Sequence, residues 1–383
     1  MAKVEKVLIV GAGIGGLAAA AALGQRGAEV DVIEIKPDST VYGVGINQPA
    51  NSLRALDKIG VLDQILAVGV TYDGYTFKDY KGKEIVAITS QLGDERVPPN
   101  CALPRRELSR ILIGAADDAG VNTRYGTTVE ELDDRGEEIG VTFSDGSSAD
   151  YDLVVGFDGI KSPLRTRLFG DAYPPVYSGH VVWRLTVPRP DYAVRSDLFQ
   201  SPRSKGGYIP LTEETMYLLL VTSEPAGVHY DVADFPEMLR ERLSEFEGPL
   251  GDIRDNIKEG DDIIYSPLSE VLLPPPWHKG LVVLGGDAAH ACTPHITQGA
   301  GMALEDAVVL AEELEIAETI PAALESYAAR RYPRAKFVQE VSRGILESEM
   351  AINEETLAEA IEAWPNELPG QFAHVDALLN EAA

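Results

Sequence analysis

The chain has 383 residues, 45% of them hydrophobic, which is long enough for two coupled domains and too apolar for a disordered chain. Its 61 acidic and 33 basic residues leave a formal charge of −28, a field that repels nucleic-acid phosphates and anionic membrane surfaces. Two cysteines, Cys101 and Cys292, exclude a disulfide framework and fit a reducing cytoplasm, and no run of about 18 strongly apolar residues offers a membrane span.

In chain order, Lys6 to Val10 has the apolar run of a buried strand, Gly11-Ala12-Gly13-Ile14-Gly15-Gly16 follows as a turn, and Leu17 to Gln25 forms a helix. A second strand, Glu29 to Ile33, completes a βαβ unit whose two strands lie parallel. Arg105 to Ala119 predicts an amphipathic helix, Gly140 to Phe143 and Ser148 to Tyr151 a hairpin, and Asp152 to Phe157 another buried strand. From Val176 to Ile264 alternating segments such as Tyr177 to Val187, Gly207 to Leu211 and Met216 to Val221 predict a mostly antiparallel sheet, followed by a helix over Phe235 to Glu245. Beyond Pro274-Pro275-Pro276 the strand Leu281 to Leu284 and the helix Ala300 to Leu314 return to the first texture, so the sheet is an insertion. The acidic tail from Asn353 onward is helix-prone and is expected as packing or oligomer surface.

The glycines of the first turn serve three needs: a tight turn at Gly11, close backbone approach to a pyrophosphate at Gly13, and helix-strand packing at Gly16. The helix N-terminus then holds the anion, and Glu34, ending the next strand, can accept hydrogen bonds from ribose hydroxyls. The motif alone fits either NAD or FAD.

Three further stretches carry a resemblance. Leu281-Val282-Val283-Leu284-Gly285-Gly286-Asp287-Ala288-Ala289-His290, then Pro294, Gln298-Gly299-Ala300-Gly301 and Glu305-Asp306-Ala307, resemble the second flavin fingerprint of the class A, single-component FAD-dependent aromatic monooxygenases. Asp152 to Gly159, with Ser162 and Arg165, is similar to the family's central Asp-Gly motif, although Phe157 stands where a small residue is more usual. Arg105, in Arg105-Arg106-Glu107-Leu108, matches the family's Arg-x-x-Leu helix start. The nearest likeness is to salicylate, urate and hydroxypyridine-acid hydroxylases.

That resemblance implies the para-hydroxybenzoate hydroxylase fold, an α/β class in which a Rossmann-like FAD-binding domain carries an inserted, mainly antiparallel β-sheet substrate domain and C-terminal helices. The FAD-binding domain is expected over residues 1–75, 98–175 and 273–345, the substrate domain over 76–97 and 176–272, and a C-terminal helical tail over 346–383. It implies FAD as cofactor, NADH or NADPH as transient co-substrate, and O2, which adds to the flavin as a hydroperoxide and hydroxylates a small aromatic or N-heteroaromatic substrate. Cofactor contacts are expected from Gly11, Gly13, Gly16, Glu34, Arg105, Asp158, Asp287, Gly299 and Gly301. The helix opened by Gly299 and Gly301 would place its N-terminal dipole at the reduced flavin ring. Tyr217 and His295 are the catalytic candidates, with Asn47, Arg184, Arg203 and Lys205 as substrate contacts and His290 as a structural residue.

A larger non-aromatic substrate is the alternative within the flavin chemistry, and an NAD-dependent dehydrogenase the alternative outside it. His290 and His295, five apart, do not complete a metal set, and no Gly-x-Ser-x-Gly elbow supports hydrolysis. The expected assembly is a cytoplasmic monomer or homodimer with a small aromatic substrate, without nucleic acid or membrane partners.

Overall fold

In the computed structural model, which describes residues 4–39 and 43–383, Val7 to Ile9 are wholly buried in the middle of a six-stranded sheet. Residues 1–3 and 40–42 of the first expected segment lie outside the described residues. The strand Lys6–Val10 pairs in parallel with Glu29–Glu34 on one side, Ile9 opposite Val32, and with Leu153–Gly156 on the other, Leu8 opposite Val154. Val282–Leu284 extends the sheet beyond Leu153–Gly156, and Asn122–Tyr125 extends it beyond Glu29–Glu34. Continuous apolar runs suit these strands because they are buried on both faces, sharing one core with the helix Ile14–Gly24 and with Val129, Ile139, Val141, Phe143 and Tyr151 of a separate three-stranded antiparallel sheet.

The helix Ile14–Gly24 begins three residues earlier than the apolar run suggests, taking Gly15 and Gly16 into its first turns. All of Gly15 to Leu23 is buried, and the alanines let the helices Gly299–Ile316 and Arg105–Asp118 pack closely against it.

A seven-stranded sheet forms the second layer, in the order Ile264–Glu270, Val176–Pro188, Thr215–Ser223, Ser204–Pro210, Ser196–Gln200, Gly74–Asp79, Glu84–Thr89. Period-two alternation gives it two different faces. Trp183, Leu185, Leu218, Leu220, Phe199 and Tyr208 point into a core closed by Leu239, Phe246 and Leu250. Val182, Arg184, Lys205, Tyr217, Leu219 and Val221, on the opposite face, look into a cavity between the two layers.

Two C-terminal helices bridge the layers. Ile320–Met350 is continuous through the boundary expected at residue 346, running from the first core, where Arg331 is buried, to the strand Ser204–Pro210. The tail corrects the sequence expectation. The helix Leu357–Asn380 is not merely packing surface: Trp364 and Phe372 pack edge-on against Phe77, Phe372 also meets Tyr75, and its residues Trp364, Leu368, Phe372, Val375 and Asp376 line the cavity. Its far end is tied down by Arg54, Arg330 and Arg334, which donate to carbonyls of residues 378–383.

Candidate active site

The cavity between the layers has a volume of about 1200 Å³ and is entered by two helix N-termini. Gly13, the N-cap of Ile14–Gly24, and Gly299, the first residue of Gly299–Ile316, both line it, and a Cβ added to either would meet no atom within 4 Å. The backbone there is open to a ligand, and the free N–H groups of a helix start suit an anion. Gly11 and Gly16 serve the turn instead: a Cβ on Gly11, whose φ is +108°, would lie 2.4 Å from Phe157 O, and one on Gly16 would lie 1.9 Å from Gly11 O.

Phe157 explains why the Asp-Gly stretch tolerates a large residue. Its buried ring fills the space between the two glycine turns, so that a Cβ on Gly15 would stand 2.6 Å from it and one on Gly285 2.7 Å. The ring thus occupies space left by Gly15, Gly285 and, at 3.1 Å, Gly286, and it also lines the cavity.

Asp287 heads the short helix Asp287–His290 and faces the cavity with no side-chain hydrogen bond among the described residues. Burial pushes its carboxyl up, while His290 and Arg105 pull it down. Arg105 lines the same space, and burial lowers its guanidinium against the raising influence of Asp287. Beneath them, Arg331 binds Asp306 and Glu305, Arg334 binds Glu305, and Asp306 accepts from the Gly286 N–H and from His290 Nε2. His290 is structural, as the sequence suggests, and the network holds the Gly286-Asp287 turn.

The sheet face supplies the opposite wall. Tyr217 is buried, its hydroxyl has no partner among the described residues, and burial pushes its pKa up to about 12, so it is a neutral donor. Arg184, opposite Leu219 and so two ladder positions from Tyr217 on the same face, has no carboxylate within ion-pair distance among the described residues, and burial lowers its pKa. Asn47 lines the cavity and donates to Asn100 Oδ1 at 2.9 Å, leaving its own oxygen without a partner. His295, from the loop before Gly299–Ile316, presents two unpartnered ring nitrogens and is held well below the ordinary imidazole range by burial, Lys205 and His180. Lys205 lines the cavity but is paired with Glu349 at 2.5 Å.

Six expected residues do not line the cavity: Gly11 and Gly16, which serve the turn, and four more. Arg203 is a correction: it lies in the turn before Ser204–Pro210, is 70% exposed, and pairs with Glu245 and Glu354. Glu34 accepts from the N–H groups of Ala12 and Lys36 and so braces the first glycine turn. Asp158 accepts from the Leu164 N–H at the start of the helix Pro163–Phe169, with its other oxygen unpartnered. Gly301 packs against Ser52, whose Oγ would lie 2.1 Å from an added Cβ. Sequence reasoning missed Tyr75, Asn100, Glu349, Trp364, Phe372 and Asp376, all in the cavity wall. Of these only the helical spacing of Trp364, Leu368 and Phe372 leaves a trace in the sequence.

The family model described as FAD binding domain matches residues 5–342. The chain is 33% identical over 346 residues to a putative FAD-dependent monooxygenase of Bacillus subtilis (strain 168), covering 89% of this chain and 93% of that protein. It is 33% identical over 308 residues to the 2-heptyl-3-hydroxy-4(1H)-quinolone synthase of Pseudomonas aeruginosa (strain UCBPP-PA14), covering 80% and 79% of the two chains. Among solved structures, HpxO of Klebsiella pneumoniae in complex with FAD and uric acid superposes with a TM-score of 0.85 at 25% identity, over 98% of this chain and 96% of the other.

Proposed function

The chain belongs to the FAD-binding domain family, and on that premise we propose that its cavity holds FAD along the two glycine turns and hydroxylates a small aromatic or N-heteroaromatic substrate against the sheet face. The observation that carries this reading is the pairing, across one cavity, of a helix start beside Asp287 with a sheet face bearing Tyr217 and Arg184. A family match running through residue 342 also sets aside the dehydrogenase reading, which used the first glycine motif alone.

The residues fit the cofactor. The open backbone at Gly13 would take the pyrophosphate, the unbonded Asp287 carboxylate would accept from ribityl hydroxyls, and Arg105 would add positive charge beside them. The N-terminus of Gly299–Ile316 would favour negative charge on the flavin ring. When bound, FAD supplies the reduction by NAD(P)H and the activation of O2. The protein's own part is to orient the substrate and exclude water. Tyr217 donates a hydrogen bond from a hydroxyl that stays protonated at neutral pH, and Arg184 stabilises negative charge developing on a phenolate-like ring oxygen. Trp364, Leu368 and Phe372 close the cavity with apolar surface, which strengthens both interactions. No helix among the described residues is long and apolar enough to cross a membrane, and two free thiols suit the cytoplasm.

The test is purification with FAD, followed by aerobic NADH and NADPH oxidation across hydroxybenzoates, pyridones, quinolones and purines. Flavin-loaded protein whose oxidation rate one ring compound raises at least about tenfold is the expected result. Protein that neither retains nor accepts FAD contradicts the reading.

A further inference from the structure

At the end of the sheet face away from Tyr217 stands a second polar group that the flavin site does not use. Val221, beside Lys205 in the ladder, lies four residues beyond Tyr217, roughly 13 Å along the strand. Lys205 Nζ and Glu349 Oε1 are 2.5 Å apart, with side chains only 8% and 10% exposed. Glu349 Oε2 has no partner among the described residues and stands 3.9 Å from His295 Nε2, on an imidazole whose side chain is 2% exposed and whose two nitrogens are also unpartnered. All three side chains line the cavity, together with Val182, Val221 and Ile345.

The chemistry of this cluster is narrow. The Lys205 and Glu349 charges cancel wherever the proton between them lies, and the imidazole is held neutral by burial, Lys205 and His180. An anionic group entering here finds no uncompensated cation and meets a carboxylate oxygen. What remains is one acceptor, Glu349 Oε2, beside one ring nitrogen that can carry a donor hydrogen. A buried acceptor without a donor is costly, so a ligand that supplies one is favoured over an otherwise equal ligand that does not. An acceptor and a donor side by side complement the adjacent N–H and C=O of a cyclic amide.

We propose that Glu349, held by Lys205 and flanked by His295, is a specificity-determining acceptor for the ring N–H of an uncharged lactam-type N-heteroaromatic substrate, with His295 donating to the neighbouring carbonyl. This rests on the hydroxylase reading above and names its substrate class. Glu349 excludes carboxylate-bearing forms of the same ring by repulsion, and N-alkylated forms because they leave its oxygen without a donor.

The test compares 2-quinolone, N-methyl-2-quinolone and 2-quinolone-4-carboxylate as ligands of the FAD-loaded enzyme, with binding read from the perturbed flavin absorbance. Wild-type protein is expected to bind 2-quinolone at least about tenfold more tightly than either analogue. Glu349→Gln leaves Lys205 unpaired, so the carboxylate is expected to gain at least about tenfold and the penalty for N-methylation to shrink. Should that variant fail to fold, the wild-type comparison decides alone. Equal binding of the N-methylated or carboxylated compound, or no binding of the parent by flavin-loaded protein, overturns the inference and leaves the hydroxylase reading standing. Protein that takes up no FAD overturns both.

Discussion

Arg331 and Asp306 meet in the interior with both side chains wholly buried, Arg331 Nε 2.7 Å from Asp306 Oδ1. Asp306 Oδ2 accepts from the Gly286 N–H at 2.8 Å, so the ion pair reaches through one carboxylate to the backbone beside Asp287. The Gly286-Asp287 turn is thereby fixed by charges that do not line the cavity.

Removing one partner leaves a buried charge uncompensated, so Asp306→Ala is expected to cost about 3–5 kcal/mol in urea unfolding. Burial alone would raise the Asp306 carboxyl, but His290 and Arg331 outweigh it and hold the pKa far below the usual range. The sign follows from the lowered folded pKa: this stabilisation is complete above the unfolded value, about 3.9, and is lost as the pH falls through the folded one. Wild-type thermal stability is expected to fall below about pH 4, and the Asp306→Asn variant to show a shallower fall.

Asp287→Ala separates cofactor binding from folding. Because the carboxylate makes no hydrogen bond among the described residues, the apoprotein is expected to keep its melting temperature while FAD affinity drops at least about tenfold. Titration of apoprotein with FAD, beside a thermal melt, checks both halves.

Gly15→Ala would gain helix propensity on an open helix, yet here the new Cβ meets the Phe157 ring at 2.6 Å. The substitution is expected to destabilise wild type by about 1–3 kcal/mol and to be less harmful, though not neutral because Ala303 Cβ lies 2.9 Å from the same point, when Phe157 is also Ala. Equal costs in the two backgrounds, measured by a double-mutant cycle in denaturant, would mean that the ring does not set the glycine requirement.

The terminal helix is testable through the cavity wall. Trp364→Ala, removing the ring packed on Phe77, is expected to raise KM by about five- to fifty-fold, with FAD content unchanged and more peroxide released per NAD(P)H. Stopped-flow and steady-state assays read the KM, and a peroxidase-coupled assay reads the uncoupling.

Much of the side proposed for the cofactor is written in contiguous sequence. A strand, a glycine turn and a helix follow one another over Lys6 to Gly24, and Asp287 sits beside its own glycines, so local pattern suffices. On the sheet face Tyr217 came from the resemblance, and the two-residue alternation of its strand sets Leu219 and Val221 on the same side. Arg203, expected beside Lys205 as a substrate contact, belongs to the turn before the strand and faces solvent, which no local pattern marks. Glu349 was hidden at the end of a long helix of mixed charge, its partner Lys205 being distant in sequence and joined to it only by packing. The helical character of Leu357–Asn380 was legible despite Pro365 and Pro369 inside it, but its place in the cavity wall was not, because that depends on packing against the distant Phe77.

The most direct test of the central claim is the fate of oxygen. FAD-loaded protein turning over its best ring substrate with NAD(P)H under 18O2 is expected to place one 18O atom in the product for each NAD(P)H consumed, with Tyr217→Phe lowering kcat by about ten- to a hundred-fold at similar FAD content. Product that carries oxygen from water, or NAD(P)H oxidation that yields only peroxide for every ring compound tried, would contradict the account.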